Sequence, residues 1–164
     1  MDTQKVETIE NVKITVTQDY EKLVTLFVNN ELEFSLNDDV PTDLVKLWKA
    51  QSIIPDPQAC NSYIGLLVGG CVLAVREERY IIDGIAVEAP YRKFQLGKQL
   101  LALAIAEVKA LGGKELYLVA RAPGFFRKQG FVTIPREEAP NFFECATCPQ
   151  YNVDCFPEVM KLTL

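Results

Sequence analysis

The chain contains no histidine. That absence removes Ser-His and Cys-His nucleophilic machinery, together with every imidazole metal ligand. No apolar run approaches the roughly 18 residues of a membrane span. Met1-Asp2-Thr3-Gln4-Lys5 lacks the basic-then-apolar order of a secretory signal. These two absences carry the expectation of a cytoplasmic protein. An excess of positive charge is missing as well, since 17 basic residues face 22 acidic ones for a net charge of -5. The balance argues against nucleic-acid and membrane partners and leaves neutral or cationic molecules unopposed, while local basic groups still decide any anion site. The five cysteines are odd in number, so a complete disulfide framework does not fit. Internal repeats, low-complexity tracts and linkers are also absent, and 164 residues, 49% of them apolar, suffice for one domain with its own core.

Hydrophobic periodicity outlines the elements. Residues 11–17 alternate as a strand, with Val12, Ile14 and Val16 on one face. Tyr20, Leu23, Val24, Phe27 and Val28 follow at helical spacing and end near the loop 35–39. Asp39 as cap and Pro41 in the first turn predict a second helix, burying Val40, Leu44, Leu47 and Trp48 before Pro55-Asp56-Pro57 stops it. Strands over 63–68 and 71–75 are expected to join at Gly69-Gly70, a two-residue hairpin signal. Arg76-Glu77-Glu78-Arg79 then turns into a strand over 80–89. A helix over about 95–111 presents Leu96, Leu100, Leu103, Ala104 and Val108 inward and ends at Gly112-Gly113. Residues 116–120 form a short apolar strand, 124–128 a short helix before Gly130, and Met160, Leu162 and Leu164 mark a last strand. The order β-α-α-β-β-β-α-β-α-β predicts an α/β (α+β) fold with a mixed, mostly antiparallel central sheet flanked by helices.

One segment carries chemistry. Ile82-Asp83-Gly84-Ile85-Ala86-Val87 leads through Glu88-Ala89-Pro90-Tyr91 into Arg92-Lys93-Phe94-Gln95-Leu96-Gly97-Lys98 and a helix. A strand, a basic loop and a helix start aim unpaired amides and cations at one place, an arrangement suited to a pyrophosphate. A solvated basic turn before an amphipathic helix is the plain alternative. The segment resembles the acyl-CoA-binding motif of the GNAT superfamily of N-acetyltransferases, Arg/Gln-x-x-Gly-x-Gly/Ala, with Arg92, Gln95 and Gly97 at its marked positions. Gln95 stands where a glycine is usual. Phe125-Phe126-Arg127-Lys128-Gln129-Gly130-Phe131 resembles that family's Phe-Tyr-x-x-x-Gly-Phe, with Phe126 in place of the tyrosine often taken as the acid.

The resemblance implies a single GNAT domain over 1–164, acetyl-CoA as co-substrate and a small-molecule amine as acceptor. Many family members are dimers, so a homodimer is an expectation of the resemblance. The residues it implies for the cofactor are Ile85, Ala86 and Val87 along the pantetheine arm, Arg92, Lys93, Phe94, Gln95, Leu96, Gly97 and Lys98 around the pyrophosphate, and Phe126. The Val87 N–H becomes an oxyanion donor. Acetyl transfer needs a neutral amine, and the departing thiol, with a pKa of about 8.5, leaves fairly well unaided. Asp83 is the first candidate base and Glu88 the second, each with ordinary strand-edge polarity as its alternative.

A cysteine-rich loop at 141–157 holds Cys145, Cys148 and Cys155. The Cys-x-x-Cys spacing suits a structural zinc, with Cys60, Asp154 or Glu144 as the fourth ligand; a disulfide or redox pair, or simply unbridged loop thiols, are the alternatives. The tail and the Phe-Phe variant resemble a subset of small acetyltransferases related to N-acetylglutamate synthase. That similarity implies an amino-acid acceptor such as glutamate, with Arg76, Arg79 and Arg121 as carboxylate partners or simply surface charges. Two other functions stay open: a non-catalytic acyl-CoA sensor, and a zinc- or redox-responsive interaction module.

Overall fold

The computed structural model describes residues 12–30, 43–55, 63–120, 122–135 and 158–164. Among them the strands are β1 (Val12–Thr17), β2 (Asp43–Pro55), β3 (Tyr63–Arg76), β4 (Arg79–Val87), β5 (Glu115–Ala120), β6 (Val132–Thr133) and β7 (Glu158–Thr163). The helices are α1 (Tyr20–Asn29), α2 (Leu96–Ala110) and α3 (Pro123–Lys128), and a 3-10 turn spans Ala89–Phe94. One sheet takes the order β1-β2-β3-β4-β5-β7-β6. All its pairings are antiparallel except β4 with β5.

The two faces of this sheet carry different helices. Neighbouring residues show it: Leu47 and Val72 pack with Leu23, Leu26 and Phe27 of α1, whereas Trp48 and Leu73 pack with Leu100, Ala104 and Val108 of α2. Burial on both faces explains why the second helix expected from the sequence is a strand instead. Leu47 and Trp48 are both buried because β2 offers apolar side chains to both sides, while Leu44, expected to be buried, is exposed beyond a bulge between Leu44 and Lys46. Asp39, Val40 and Pro41 lie outside the described residues.

The Gly69-Gly70 hairpin is also corrected. Both glycines lie within the continuous β3, opposite Ala50 and Lys49 on one side and Val87 and Ala86 on the other. Space explains Gly70, since a Cβ there would lie 2.4 Å from Leu23 Cδ2 of α1. The reversal falls at Glu77 and Glu78, whose φ values of 49° and 64° are the left-handed pair a tight two-residue hairpin requires. Elsewhere the expected elements are present with small shifts. In α2, Leu101 is buried and Leu103 exposed, and the helix closes with Gly113 N–H donating to Val108 O (2.8 Å) around Gly112 at φ 84°.

Gly84 lets α1 approach β4, for a Cβ there would meet three Phe27 ring atoms at 2.5 to 3.0 Å. Gly84→Ala is therefore expected to cost about 1–3 kcal/mol through overpacking. At about 2–4 °C per kcal/mol the melting midpoint falls by several degrees, and Phe27→Leu in the same chain recovers part of the loss. Thermal unfolding followed by circular dichroism checks both.

Candidate functional site

β4 is paired unequally along its two edges. Its β3 edge is bonded as far as Val87, but its parallel pairing with β5 is confined to Ile81↔Tyr117. Beyond that point the strands part and one edge of β4 lies open. Asp83 is the extra residue of a bulge, since Leu73 pairs with Ile82 and Val72 with Gly84. The direction of the following backbone groups is fixed by Glu88 N–H, which donates to Val68 O at 2.8 Å. Bonded and non-bonded pairs alternate in an antiparallel ladder, so Val87 and Ile85 turn their N–H and C=O groups to the open edge while Ala86 turns toward β3. The Ile85-Ala86-Val87 trio is thus divided, with two residues facing the opening by their backbones.

The strand runs straight into a helix start. The 3-10 turn begins at Glu88, whose carbonyl accepts from Tyr91 N–H (2.8 Å), and includes the backbones of Lys93 and Phe94. Gln95 then adopts φ 58°, ψ 29° and caps α2 through its backbone, without a side-chain bond. This left-handed conformation is the physical reason a glycine is usual at that position. The first helical bond runs from Gln99 N–H to Gln95 O (3.1 Å). The amides of Leu96, Gly97 and Lys98 accordingly have no acceptor within the helix, and its first turn holds no acidic residue. Leu96 is buried and Lys98 exposed. Gly97 backs onto Phe125 and Val87, with its Cβ position 3.5 Å from the Phe125 ring.

Arg92 lies beside this cradle with its guanidinium on the strand end. Its Nε donates to Val87 O (2.9 Å) and its Nη2 to Asn30 Oδ1 (3.3 Å). Asn30 in turn donates from Nδ2 to Glu88 Oε1 (3.2 Å). Asp83 is almost enclosed: Tyr20 OH donates to its Oδ2 (3.4 Å), and Arg76 Nη2 stands 3.6 Å from its Oδ1, the two side chains being 9% and 7% exposed. Arg76 is thus engaged inside the protein, whereas Arg79 is exposed, stacking over the Tyr117 ring and donating to its hydroxyl (3.3 Å). Arg121 lies outside the described residues. Phe126 is a core residue, edge-on to Phe131 and Phe125, and Phe125 is the more exposed of the adjacent pair.

Asn30 and Tyr20 are the residues in contact with the candidate site that the sequence alone does not single out for it. Each stands at an end of α1, nearly sixty residues or more from its partner on or just past β4, and only the helix-to-strand packing joins them. The helix ends themselves were the one available signal.

The cysteines divide. Cys71 is buried between β2 and β4, and burial pushes its thiol far up from the ordinary value, so it is held as a protonated core residue. Cys60, Cys145, Cys148 and Cys155 lie outside the described residues. Among the described residues no group of three or more His, Cys, Asp or Glu is arranged to hold a metal. Nor is any helix among them long and apolar enough to cross a membrane.

A strand edge opening onto a helix start is the geometry in which an extended, amide-bearing arm ending in a pyrophosphate finds partners, and residues 27–131 match the family model described as Acetyltransferase (GNAT) family. The chain belongs to that family. An uncharacterized N-acetyltransferase of Chlorobaculum tepidum is 28% identical over 91 residues, which cover 54% of this chain and 59% of the relative. Among solved structures, N-acetylglutamate synthase from Neisseria gonorrhoeae, in complex with coenzyme A and N-acetyl-glutamate, superposes with a TM-score of 0.62 at 18% identity, over 93% of this chain and 35% of that one. A GNAT-family acetyltransferase from Staphylococcus aureus gives 0.61 at 19%, over 93% and 99%. One from Elizabethkingia anophelis with acetyl-CoA bound gives 0.54 at 16%, over 94% and 99%. At these identities the likeness is one of fold. The chain spans little more than half of the curated relative and about a third of the synthase.

The Arg76–Asp83 pair makes a stability prediction. Asp83→Ala removes the carboxylate facing a buried guanidinium and is expected to cost about 3 kcal/mol, while the double variant with Arg76→Met recovers much of it. Urea unfolding of the two variants and the wild type checks the expectation.

Proposed function

We propose that the chain transfers the acetyl group of acetyl-CoA to the amine of a small molecule, with an amino acid such as glutamate as the acceptor. The observation that carries this reading is the open edge of β4 leading into the unpaired first-turn amides of α2. Ile85 would pair its outward backbone groups with the amide-rich pantetheine arm, while the Val87 carbonyl is held by Arg92 Nε and its N–H is left for the thioester end. The amides of Leu96, Gly97 and Lys98, with the Lys98 ammonium, would hold the pyrophosphate. The glutamate acceptor is supported by the fold shared with the Neisseria synthase and by the similarity of the tail.

In this reading acetyl-CoA supplies an activated acyl carbon and a good leaving thiolate. Val87 N–H would donate to the carbonyl oxygen as it gains charge. Asp83 would accept the amine proton, directly or through water, with Tyr20 and Arg76 holding the carboxylate in place; Glu88 is the second candidate. Phe126 has no hydroxyl, so the amine proton or water would serve the thiolate. The same lack supports one other reading, an acyl-CoA sensor that binds without turnover.

Thermal unfolding with and without coenzyme A tests the site. At about 100 times its dissociation constant a ligand adds roughly 2.7 kcal/mol, which raises the midpoint by several degrees in a chain of this length. Gly97→Glu, which sets a carboxylate in the cradle, is expected to fold and to abolish the rise. An unmoved wild-type midpoint at millimolar coenzyme A would sink the assignment.

Transfer is tested separately by thiol release from acetyl-CoA over a panel of amino acids and polyamines. Amine-dependent release is the expected result. Binding without release on any amine would favour the sensor.

A further inference from the structure

We propose that Asn30 is a positioning residue of this site, acting through Arg92 on the end of β4. The inference rests on the acyl-CoA reading above and adds to it a residue on a different element. Asn30 directly follows α1, and its backbone N–H is anchored there by Leu26 O (3.2 Å) and Phe27 O (3.0 Å). Its carboxamide then touches three segments at once. Nδ2 donates to Leu26 O (2.9 Å) in α1 and to Glu88 Oε1 (3.2 Å) just past β4, while Oδ1 accepts from Arg92 Nη2 (3.3 Å) in the 3-10 turn.

The chemistry of the partners dictates the orientation of that amide. A guanidinium only donates, whereas a carbonyl and an ionised carboxylate only accept, so the carbonyl must face Arg92 and the NH2 must face Leu26 and Glu88. Turning the amide over would break every one of these contacts. Helix capping alone needs only the bonds to α1, and the other two reach 58 and 62 residues along the chain.

What the carboxamide holds is the position of Arg92. With Nη2 held by Asn30, Nε reaches Val87 O (2.9 Å), one of the outward backbone groups at the open edge. The guanidinium thereby pins the Val87–Glu88 peptide, and with it the point at which the strand hands over to the phosphate-facing turn. Arg92 is the clasp of the strand end rather than the main phosphate cation, and Asn30 is what closes it.

Calorimetric titration with coenzyme A on four chains tests this: the wild type, Asn30→Ala, Arg92→Ala and the double variant. Asn30→Ala is expected to weaken binding about fivefold in the wild type and to have no further effect beside Arg92→Ala. A role confined to capping α1 would lower the melting midpoint in both backgrounds and leave affinity alone. Equal losses of affinity in both backgrounds, or none in a folded Asn30→Ala, would overturn the proposal. If Asn30→Ala fails to fold, Asn30→Ser, too short to bridge Glu88 and Arg92, is read by the same criteria. Wild-type chain that binds no coenzyme A overturns this inference together with the acyl-CoA reading; wild-type binding with an unmoved Asn30 variant overturns this inference alone.

Discussion

Everything at the site depends on the parting of β4 from β5. A strand in the middle of a sheet has backbone donors and acceptors on both edges, and leaving them without partners costs about as much as losing a hydrogen bond each. Here β4 is bonded to β3 as far as Val87 but meets β5 in register only at Ile81↔Tyr117. The fold accepts that opening because β5 is held on its other side by β7, through six consecutive pairs from Glu115↔Thr163 to Ala120↔Glu158. The sheet stays continuous while one edge is exposed at its centre. An edge of that kind attracts an extended, hydrogen-bonding chain, which is how a peptide-like arm is recognised without side-chain specificity.

The opening alone would bind any extended chain, and in the acyl-CoA reading the helix start would make it selective for an anion. Gln95 brings the cost of that selectivity into view. A residue with a Cβ in the left-handed region is strained by about 1–2 kcal/mol, and the strain is accepted because the turn must deliver the first amides of α2 at the strand end. The glutamine is therefore a strained form of the same backbone device, not the loss of it.

How much of this was legible in the sequence follows from where the information sits. The strand-loop-helix segment was readable because its signals are local: apolar residues to Val87, a basic turn, Gly97, then a 3.6-residue repeat through Val108. The helix expected at Val40 to Trp48 and the hairpin at Gly69-Gly70 failed for a shared reason. In a sheet covered on both faces, apolar residues no longer alternate, and a glycine can answer to a helix packed above it instead of to a turn. Leu47 and Trp48 belong to two different cores, and the missing Cβ of Gly70 is explained by Leu23, forty-seven positions earlier. The true turn, Glu77-Glu78, falls within the charged turn at 76–79 that the sequence does indicate, although it carries neither glycine nor asparagine.

Those glycines bear on the site as well as the fold. Gly70 and Gly84 remove the side chains that would otherwise hold α1 off the sheet, since Cβ atoms there would come within 2.4 Å of Leu23 and 2.5 Å of Phe27. The depth of α1 sets where its two ends fall. Its first residue, Tyr20, reaches Asp83 at the bulge, and the residue after its last turn, Asn30, reaches Glu88 and Arg92. A helix an ångström or two farther out would keep its own hydrogen bonds and lose all three of these contacts, which are already between 3.2 and 3.4 Å. The polar groups at the two ends of the open strand are therefore placed by apolar contacts between them. Steric space at two strand glycines is converted, through one rigid helix, into the positions of a candidate base and of the clasp on Val87.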